Sequence, residues 1–435
     1  MERGAVSLSA YWRLVRANPN FRRLWLAQII SEMGDWLYTI AIYSLLLRLT
    51  GSAQSVALAV VLQVLPQFFV APTAGVVNDR MSRKRVMILA DLARAAIVLG
   101  MLAVSRAEMV WLVYVLLLLE TMMWAFFEPG RSAIVPHITE SEDLVVANAL
   151  SSMTWSLNLA VGSALGGVVA AFFGRETVFV VNSLSFLVSA LLLAGMRFPE
   201  PHLAQAAPLK ARDLVDFSPI AEGIQYVRRD RRLLATLLVK AGLGLTATHW
   251  VLLPIFGERV FPVRAAGLSE RDGGMLGMSV LMGVRGIGAL LGPVLGGYWT
   301  GQRQDRMRLS IVFGFIASGL GYLWLAGAPS IAVACAAIVL AHAGGSVVWV
   351  SSTTLLQLQT EDRFRGRVFS ADFAFLVLSG AVVSYLAGTL LDWGVTVRTL
   401  AAATGLAALL PAVAWAFGLR LWRGPTTAET PRAQC

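Results

Sequence analysis

The sequence predicts an all-α, polytopic membrane protein with twelve transmembrane helices arranged as two six-helix halves. The first observation is composition: 57% of the 435 residues are hydrophobic and only 14% are charged, against about 25% charged in an ordinary soluble domain. The second is that the apolar residues occur in runs of about 20 or more, the length that crosses about 30 Å of hydrocarbon as a helix. These two observations exclude a disordered chain and argue against a single soluble enzyme.

Twelve such runs, separated by charged residues or by glycine and proline, give the element order. The predicted spans are 22–48, 53–78, 85–104, 109–130, 145–172, 177–197, 233–258, 273–299, 307–327, 330–357, 366–392 and 395–421. The runs are continuous, whereas a membrane β-barrel shows alternating segments of about 10 residues. We therefore predict an N-terminal half over 1–197, a central loop over 198–232, a C-terminal half over 233–421 and a tail over 422–435.

The basic residues predict the orientation in the membrane. Most of the 36 lysines and arginines lie in segments on the same side as the N-terminus, and the positive-inside rule assigns that side to the cytoplasm. Both termini are then cytoplasmic, in a bacterial-type inner membrane. The net charge of +10 follows from the same bias. A nucleic-acid partner is not expected, because such binding needs a basic stripe on a soluble domain and the sequence predicts none.

The central loop contains one segment with helical periodicity. Ile220, Ile224 and Val227 share one face of a helix, and four arginines follow within 228–232. One interpretation is an interfacial helix lying on anionic lipid. The other is a linker whose arginines only fix the topology.

A short repeat supports two related halves. Pro72 and Gly75 close the second span, and Pro293 and Gly296 close the eighth span with the same spacing, each before a basic loop. Parallel six-helix repeats with a substrate site at their interface are a recurrent transporter architecture.

The loop after the second span carries a recognisable motif. Gly75, Asp79, Arg80, Arg83 and Lys84 match the signature loop of the major facilitator superfamily, with Ser82 replacing the second glycine. Other stretches resemble the branch that contains macrolide-efflux proteins and the enterobactin exporter. They are Phe21–Trp25 with Gly34–Asp35, Ala90–Arg94, Pro129–Pro136, Ala147–Leu150 and Arg365–Val368.

This resemblance implies a proton-linked exporter of small, often amphipathic compounds. It covers about residues 20–422. Two positions depart from better-known drug antiporters: the fourth span has Glu120 and no arginine at its middle, and the fifth has Ser163 in place of a proline. The sequence has no nucleotide-binding P-loop and no H-E-x-x-H metal motif, so we expect neither enzymatic activity nor a cofactor.

Charges inside the bilayer cost at least about 2.5–3.5 kcal/mol each, so each requires a reason. Glu32 and Asp35 are three residues apart near the middle of the first span and therefore share a face. Two carboxylates so close in a low dielectric cannot both ionise easily. Asp35, Glu32 and Glu120 are accordingly our candidates for proton coupling, although Asp35 could merely bond a neighbouring helix.

Glu120 and Arg285 lie at the middle of the fourth and eighth spans, one in each half. We expect that they pair across a central cavity and that this pair breaks and re-forms as access alternates. The alternatives are a fixed structural salt bridge or a water-filled pocket. Asp91 and Arg94, three residues apart in the third span, are predicted to form a local ion pair. Lys240 is expected to snorkel towards the nearer membrane surface.

Aromatic and histidine side chains complete the predicted cavity. An amphipathic ligand needs apolar contact surface, but tryptophan is also common at membrane interfaces and a lone histidine is often structural. With Arg285, the cavity candidates are Trp36, Trp124, Trp155, Trp250, His249 and His342.

The motif loop is predicted to act as a gate and not as a substrate site. Asp79 can face the positive N-terminal end of the eleventh span, near Arg367 and Asp372. Such a contact would stabilise the outward-facing state and break when the cytoplasmic side opens.

The leading hypothesis is therefore a secondary exporter whose partners are a small-molecule substrate, protons and the lipid bilayer, acting as a monomer. Within transport, a lysophospholipid flippase or an uptake carrier is the alternative. A sensor or scaffold that does not transport is the alternative of a different class.

Overall fold

The computed structural model describes residues 8–140, 142–205, 218–264, 269–301 and 303–422. All regular structure in these ranges is helical. The helices are α1 (Leu8–Ala17), α2 (Pro19–Thr50), α3 (Ala53–Arg80), α4 (Arg83–Gly100), α5 (Val110–Ile138), α6 (Leu144–Phe173), α7 (Arg175–Ala194), α8 (Ser218–Val227), α9 (Arg231–Gly244), α10 (His249–Arg259), α11 (Glu270–Thr300), α12 (Gln304–Ala326), α13 (Ile331–Gln359), α14 (Asp362–Asp392) and α15 (Val397–Gly418). Short 3₁₀ turns cover Met101–Ala103, Ala107–Met109, Pro201–Gln205 and Leu419–Trp422.

The predicted twelve-helix membrane fold is confirmed. Helices α2–α7, the pair α9 and α10, and α11–α15 coincide with the twelve predicted spans. Eleven of these segments are long and apolar enough to cross a membrane. The remaining one, α2, is long enough at 32 residues, and its apolar character is reduced by Glu32 and Asp35.

Local sequence signals explain where these helices begin and end. The Asn18 side chain accepts a hydrogen bond from the Phe21 N–H at 2.9 Å, and Pro19 occupies the first helical position, where no backbone donor is needed. At the other end, Gly51 adopts the left-handed conformation with φ of 66°, which glycine accommodates without steric cost.

Three features differ from the prediction. First, α1 precedes the first span and docks on α6 through an ion pair of 2.9 Å between Arg13 and Asp143. Second, α5 continues to Ile138, beyond the predicted end at 130. Third, the predicted continuous span 233–258 is interrupted between α9 and α10, at residues 245–248.

The amphipathic segment of the central loop packs against protein. Val227 of α8 is buried in a cluster with Leu237 and Val368, and the Tyr226 ring stacks on Phe364 with centroids 4.2 Å apart. Glu222 binds Arg367 at 2.9 Å. Because α14 covers part of this apolar face, the interfacial helix on anionic lipid stays a prediction beside the alternative of a linker. The side chain of Ile220 and residues 206–217 lie outside the described part.

Small residues join the two halves along α6 and α11. The Ser279 hydroxyl of α11 donates a hydrogen bond of 2.6 Å to the Ser163 carbonyl of α6. Gly167 faces Ser279, and Gly286 faces Ala160, so closely that an added Cβ would collide. Such small-residue faces allow helix backbones to approach within a membrane.

A second contact between the halves joins α3 and α14. We call the side of the bundle that carries α1 the terminus side, and the opposite side the far side. At the far side, the Asp392 carboxylate accepts hydrogen bonds from the Ala53 N–H at 2.7 Å and the Gln54 N–H at 3.0 Å. The Ser52 hydroxyl also donates to it, and Gln54 donates to the Tyr385 hydroxyl at 2.8 Å. Asp392 thus caps the positive N-terminal end of α3 from the opposite half.

Candidate functional site

An aromatic row crosses the interface between the halves, mostly near the middle of the helices. Its members are Trp155, Trp36, Trp250, His249, His342 and Tyr322. The Trp36 ring meets Trp155 edge-on at 5.9 Å between centroids and lies nearly parallel to Trp250 at 6.0 Å. Trp36 and Trp155 belong to the N-terminal half and Trp250 to the C-terminal half, so the row is continuous across the boundary.

The row continues into the C-terminal half through two histidines. The His249 ring lies 5.2 Å from that of Trp250 and 4.8 Å from that of His342. His342 Nε2 and the Tyr322 hydroxyl are 3.1 Å apart, within hydrogen-bond distance. These rings provide an apolar surface with polar edges, which suits an amphipathic ligand.

The interruption between α9 and α10 positions His249 and Trp250. Residues 245–247 donate backbone hydrogen bonds to carbonyls three residues earlier, a tighter pattern than that of an α-helix. His249 Nδ1 lies 2.6 Å from the Thr246 carbonyl oxygen, and the Thr248 hydroxyl bonds that of Thr404 at 2.8 Å. A broken membrane helix is tolerated where neighbouring side chains satisfy the freed backbone groups.

Arg285 lies against this row without an acidic partner. Its guanidinium carbon is 3.7 Å from the Trp250 ring centroid, and the residue is 4% exposed. Tyr43 and Tyr322 are close enough to interact with it electrostatically. Within the described part of the chain, no carboxylate oxygen comes within 4.0 Å of its nitrogens, and Nη1 is buried without a hydrogen-bond partner.

An acidic cluster occupies the core of the N-terminal half, next to the row. Arg94 pairs with Asp91, as predicted, and its Nη1 lies 3.7 Å from the Asp35 carboxylate. Glu120 interacts electrostatically with both Arg94 and Asp35. Three carboxyl groups therefore share one guanidinium. Asp35 is the accessible member, with 27% of its side chain exposed, whereas Asp91 is fully buried.

Glu32 belongs to a separate polar group. Its carboxylate accepts hydrogen bonds from Gln28 at 2.9 Å and from Asn158 of α6 at 3.1 Å. Arg131 interacts electrostatically with it and binds Glu128 at 2.5 Å. Glu32 and Asp35 share a helix face, as expected, but they contact different neighbouring helices.

The expected pair of Glu120 and Arg285 is not formed in this structure. Glu120 faces Arg94 within its own half, and Arg285 faces the Trp250 ring. Trp124 is half-buried on α5 and takes no part in the aromatic row. The structure thus brings together six of the seven predicted cavity residues, all except Trp124.

The expectation that Lys240 snorkels is wrong. Lys240 is 1% exposed; its ammonium donates to the Thr353 hydroxyl at 2.8 Å and lies 3.4 Å from the Trp349 ring centroid. It interacts electrostatically with Asp372, which is 6% exposed. Asp372, expected at the gate, is therefore engaged within its own half.

The motif loop between α3 and α4 is anchored within the N-terminal half. Arg83 donates to the Ala133 carbonyl at 3.4 Å, and Lys84 donates to the Met196 carbonyl at 2.6 Å. The Asp79 side chain is 75% exposed and binds Arg83 at 3.5 Å.

The other members of the expected gate are not brought to Asp79. Gly75 and Arg80 are half-buried on α3, and Arg367 binds Glu222 of α8. The latch between Asp79 and α14 is thus not formed in this structure and stays a prediction for another state.

Sequence reasoning missed several polar residues of the site. Tyr43 and Tyr322 flank Arg285, while Asn158 and Asn182 bond the two carboxylates of α2. Their one sequence signal is a polar side chain inside an apolar run. That signal does not tell which helix the side chain meets.

Residues 12–433 match the family described as transmembrane secretion effectors. An uncharacterized MFS-type transporter, YfiS of Bacillus subtilis (strain 168), is 26% identical over 87% of this chain and 88% of its own. Macrolide efflux protein A of Streptococcus pyogenes is 27% identical over 86% of each chain.

A solved structure has the same fold. The peptide transporter POT in complex with sulfate superposes with a TM-score of 0.72 over 93% of this chain and 95% of its own, at 13% identity. At that identity the likeness concerns the fold alone.

Proposed function

Because the chain belongs to the transmembrane secretion effectors of the major facilitator superfamily, we propose that it exports a small amphipathic compound in exchange for protons. Transport proceeds by alternating access to a site between the two halves. The proposed orientation has both termini in the cytoplasm of a bacterial-type inner membrane.

The direction of transport is supported by the comparisons. The family description refers to secretion, and one relative of similar length is named a macrolide efflux protein. We extend export, and not the macrolide substrate, to this chain.

The aromatic row is the proposed substrate site. Trp36 and Trp250 come from opposite halves, so a ligand beside them contacts both bodies that move during alternating access. Trp155 is 42% exposed and offers a further apolar face at the edge of the row.

Asp35 is the proposed proton carrier, and its position is the observation on which the proposal depends. It precedes Trp36 directly, its carboxylate is partly exposed, and it competes with Asp91 and Glu120 for the single cation Arg94. A proton on Asp35 reduces the surplus of negative charge in this cluster. Substrate at Trp36 then lies beside the titrating group, which couples the two binding events.

The test uses everted membrane vesicles with a preformed pH gradient and a panel of amphipathic compounds. Transported compounds should collapse the gradient in wild-type vesicles, and Asp35→Asn should abolish both this response and uphill accumulation. Substrate exchange at equal concentrations, which needs no proton, should persist in that variant. Asp305→Asn, at an exposed carboxylate paired with Arg308, is the control and should behave as wild type. Unchanged uphill accumulation by Asp35→Asn would exclude the coupling role.

A further inference from the structure

Arg285 differs from the other buried cations of the membrane-spanning helices. Arg94 has Asp91 and Asp35, Arg131 has Glu128, and Lys240 has Asp372. Arg94 and Arg131 form ion pairs with carboxylates of their own half, and Lys240 interacts electrostatically with one at longer range. Arg285 is 4% exposed, nearly as buried as Arg94 and Lys240 and more buried than Arg131, but in the described residues its neighbours are aromatic rings and phenols.

An uncompensated buried cation is costly, and its cost is reduced when an anion binds. The Nη1 atom is buried and lacks any hydrogen-bond partner, so a donor is available for a ligand. The two nearby histidine rings meet edge-on at 4.8 Å and can be neutral donors or acceptors, but they supply no negative charge. At this point of the site the described residues provide the cation Arg285, and the compensating anion is left for a bound ligand to provide.

The place of this donor beside the aromatic row defines the shape of the ligand. The guanidinium lies over the Trp250 ring, and the Trp36 ring lies nearly parallel to Trp250 at 6.0 Å between centroids. A ligand whose carboxylate binds Arg285 therefore places the planar or apolar remainder of its structure against the indole rings. Arginine is suited to this task because its planar fork binds carboxylates by two hydrogen bonds while stacking on an aromatic ring.

We propose that the transported compound is an amphipathic organic anion whose carboxylate binds Arg285 and whose aromatic body packs on Trp250 and Trp36. This inference rests on the proposed transport function and adds the substrate class. The charge-assisted hydrogen bonds predict that the carboxylate form binds roughly ten- to a hundredfold more tightly than its neutral amide.

The test is calorimetric binding to the purified full-length protein in nanodiscs of phosphatidylcholine, a lipid that brings no net anionic headgroup to compete for Arg285. The probes are phenylacetic, 2-naphthylacetic and pyreneacetic acids, each with its amide and its amine analogue. In the wild-type protein at least one acid should bind tenfold or more tightly than its amide, and the amine should bind most weakly. Equal affinity of acid and amide throughout the panel would overturn the proposal.

Variants then assign the preference to one residue. Arg285→Gln should bind acid and amide equally, with the amide affinity retained as proof that the site persists. Arg306→Gln, which removes an exposed cation of the same half, should keep the wild-type preference. An acid preference that survives in Arg285→Gln would refute the assignment. If Arg285→Gln does not fold, Arg285→Lys decides, because an ammonium cannot form the two parallel hydrogen bonds of a guanidinium and the acid preference should fall severalfold; an unchanged preference would refute the assignment.

Binding requires no gradient, so this result is separable from the transport test. An acid preference without proton-linked uptake in vesicles would reject the proposed function and retain the binding assignment. Proton-linked export restricted to neutral or cationic compounds would retain the function and reject the anionic substrate.

Discussion

Asp392 offers a direct test of how the far side is held closed. Its carboxylate receives two backbone N–H groups of α3 and the Ser52 hydroxyl from across the interface. The residue is exposed, so water screens part of the interaction. An N-cap carboxylate at a helix end contributes about 1–2 kcal/mol. Asp392→Ala should therefore shift the equilibrium towards a far-side-open state by roughly five- to thirtyfold.

Cysteine labelling can measure this shift. Ala57 is fully buried against Gly388 of α14, in the same far-side contact. In a background with Cys335 and Cys435 replaced by serine, Ala57→Cys should react slowly with an impermeant maleimide added to the far side. Adding Asp392→Ala should raise the labelling rate by the same five- to thirtyfold, provided that the far side opens and closes faster than the maleimide reacts.

Asp305→Ala removes an exposed carboxylate on the terminus side and is the matched control. Its labelling rate should equal that of the parent. Equal rates in Asp392→Ala and in this control would show that the Asp392 cap does not hold the far side closed, and the energetic reasoning would fail.

Two further predictions concern buried charges. Arg94→Leu leaves Asp91 without its cation and should destabilise the protein by about 3–5 kcal/mol, measured as a lower melting temperature in detergent. The control Arg106→Leu, at an exposed arginine, should melt as wild type. Equal melting temperatures of the two variants would contradict this prediction. Lys240→Met removes the cation that interacts electrostatically with the buried Asp372 carboxylate and should lower the melting temperature. Adding Asp372→Asn should recover most of the loss; additive losses would show that the two residues are not coupled.

The sequence was sufficient for the fold because the signals that define it are local. Span lengths and caps such as Asn18 depend on neighbouring residues along one helix. The acidic cluster was predicted only in part, since the spacing of Asp91 and Arg94 indicates their pairing, but nothing local indicates that Arg94 also reaches Asp35. That contact depends on how α2 and α4 pack.

The break between α9 and α10 was missed for a related reason. Residues 245–248 contain no proline, and their glycine and threonine neighbours are common in continuous membrane helices. The interruption is stabilised by distant partners such as Thr404, which a linear reading does not reveal. The same break sets the positions of His249 and Trp250, so the geometry of the site is the part that required the structure.

In the proposed exchange, α2 connects the proton site to the substrate site mechanically as well as by proximity. Asp35 points into the acidic cluster of its own half, whereas Trp36 reaches across to Trp250 of the other half. Consecutive residues of one rigid helix thus belong to two different contact sets. A change in charge at Asp35 alters its attraction to Arg94, and any resulting displacement of α2 moves Trp36 against Trp250. The proposed coupling therefore requires α2 to have two discrete positions, and the close packing of Gly34 against Asn182 and Ser185 favours a step between two packed arrangements over a gradual deformation.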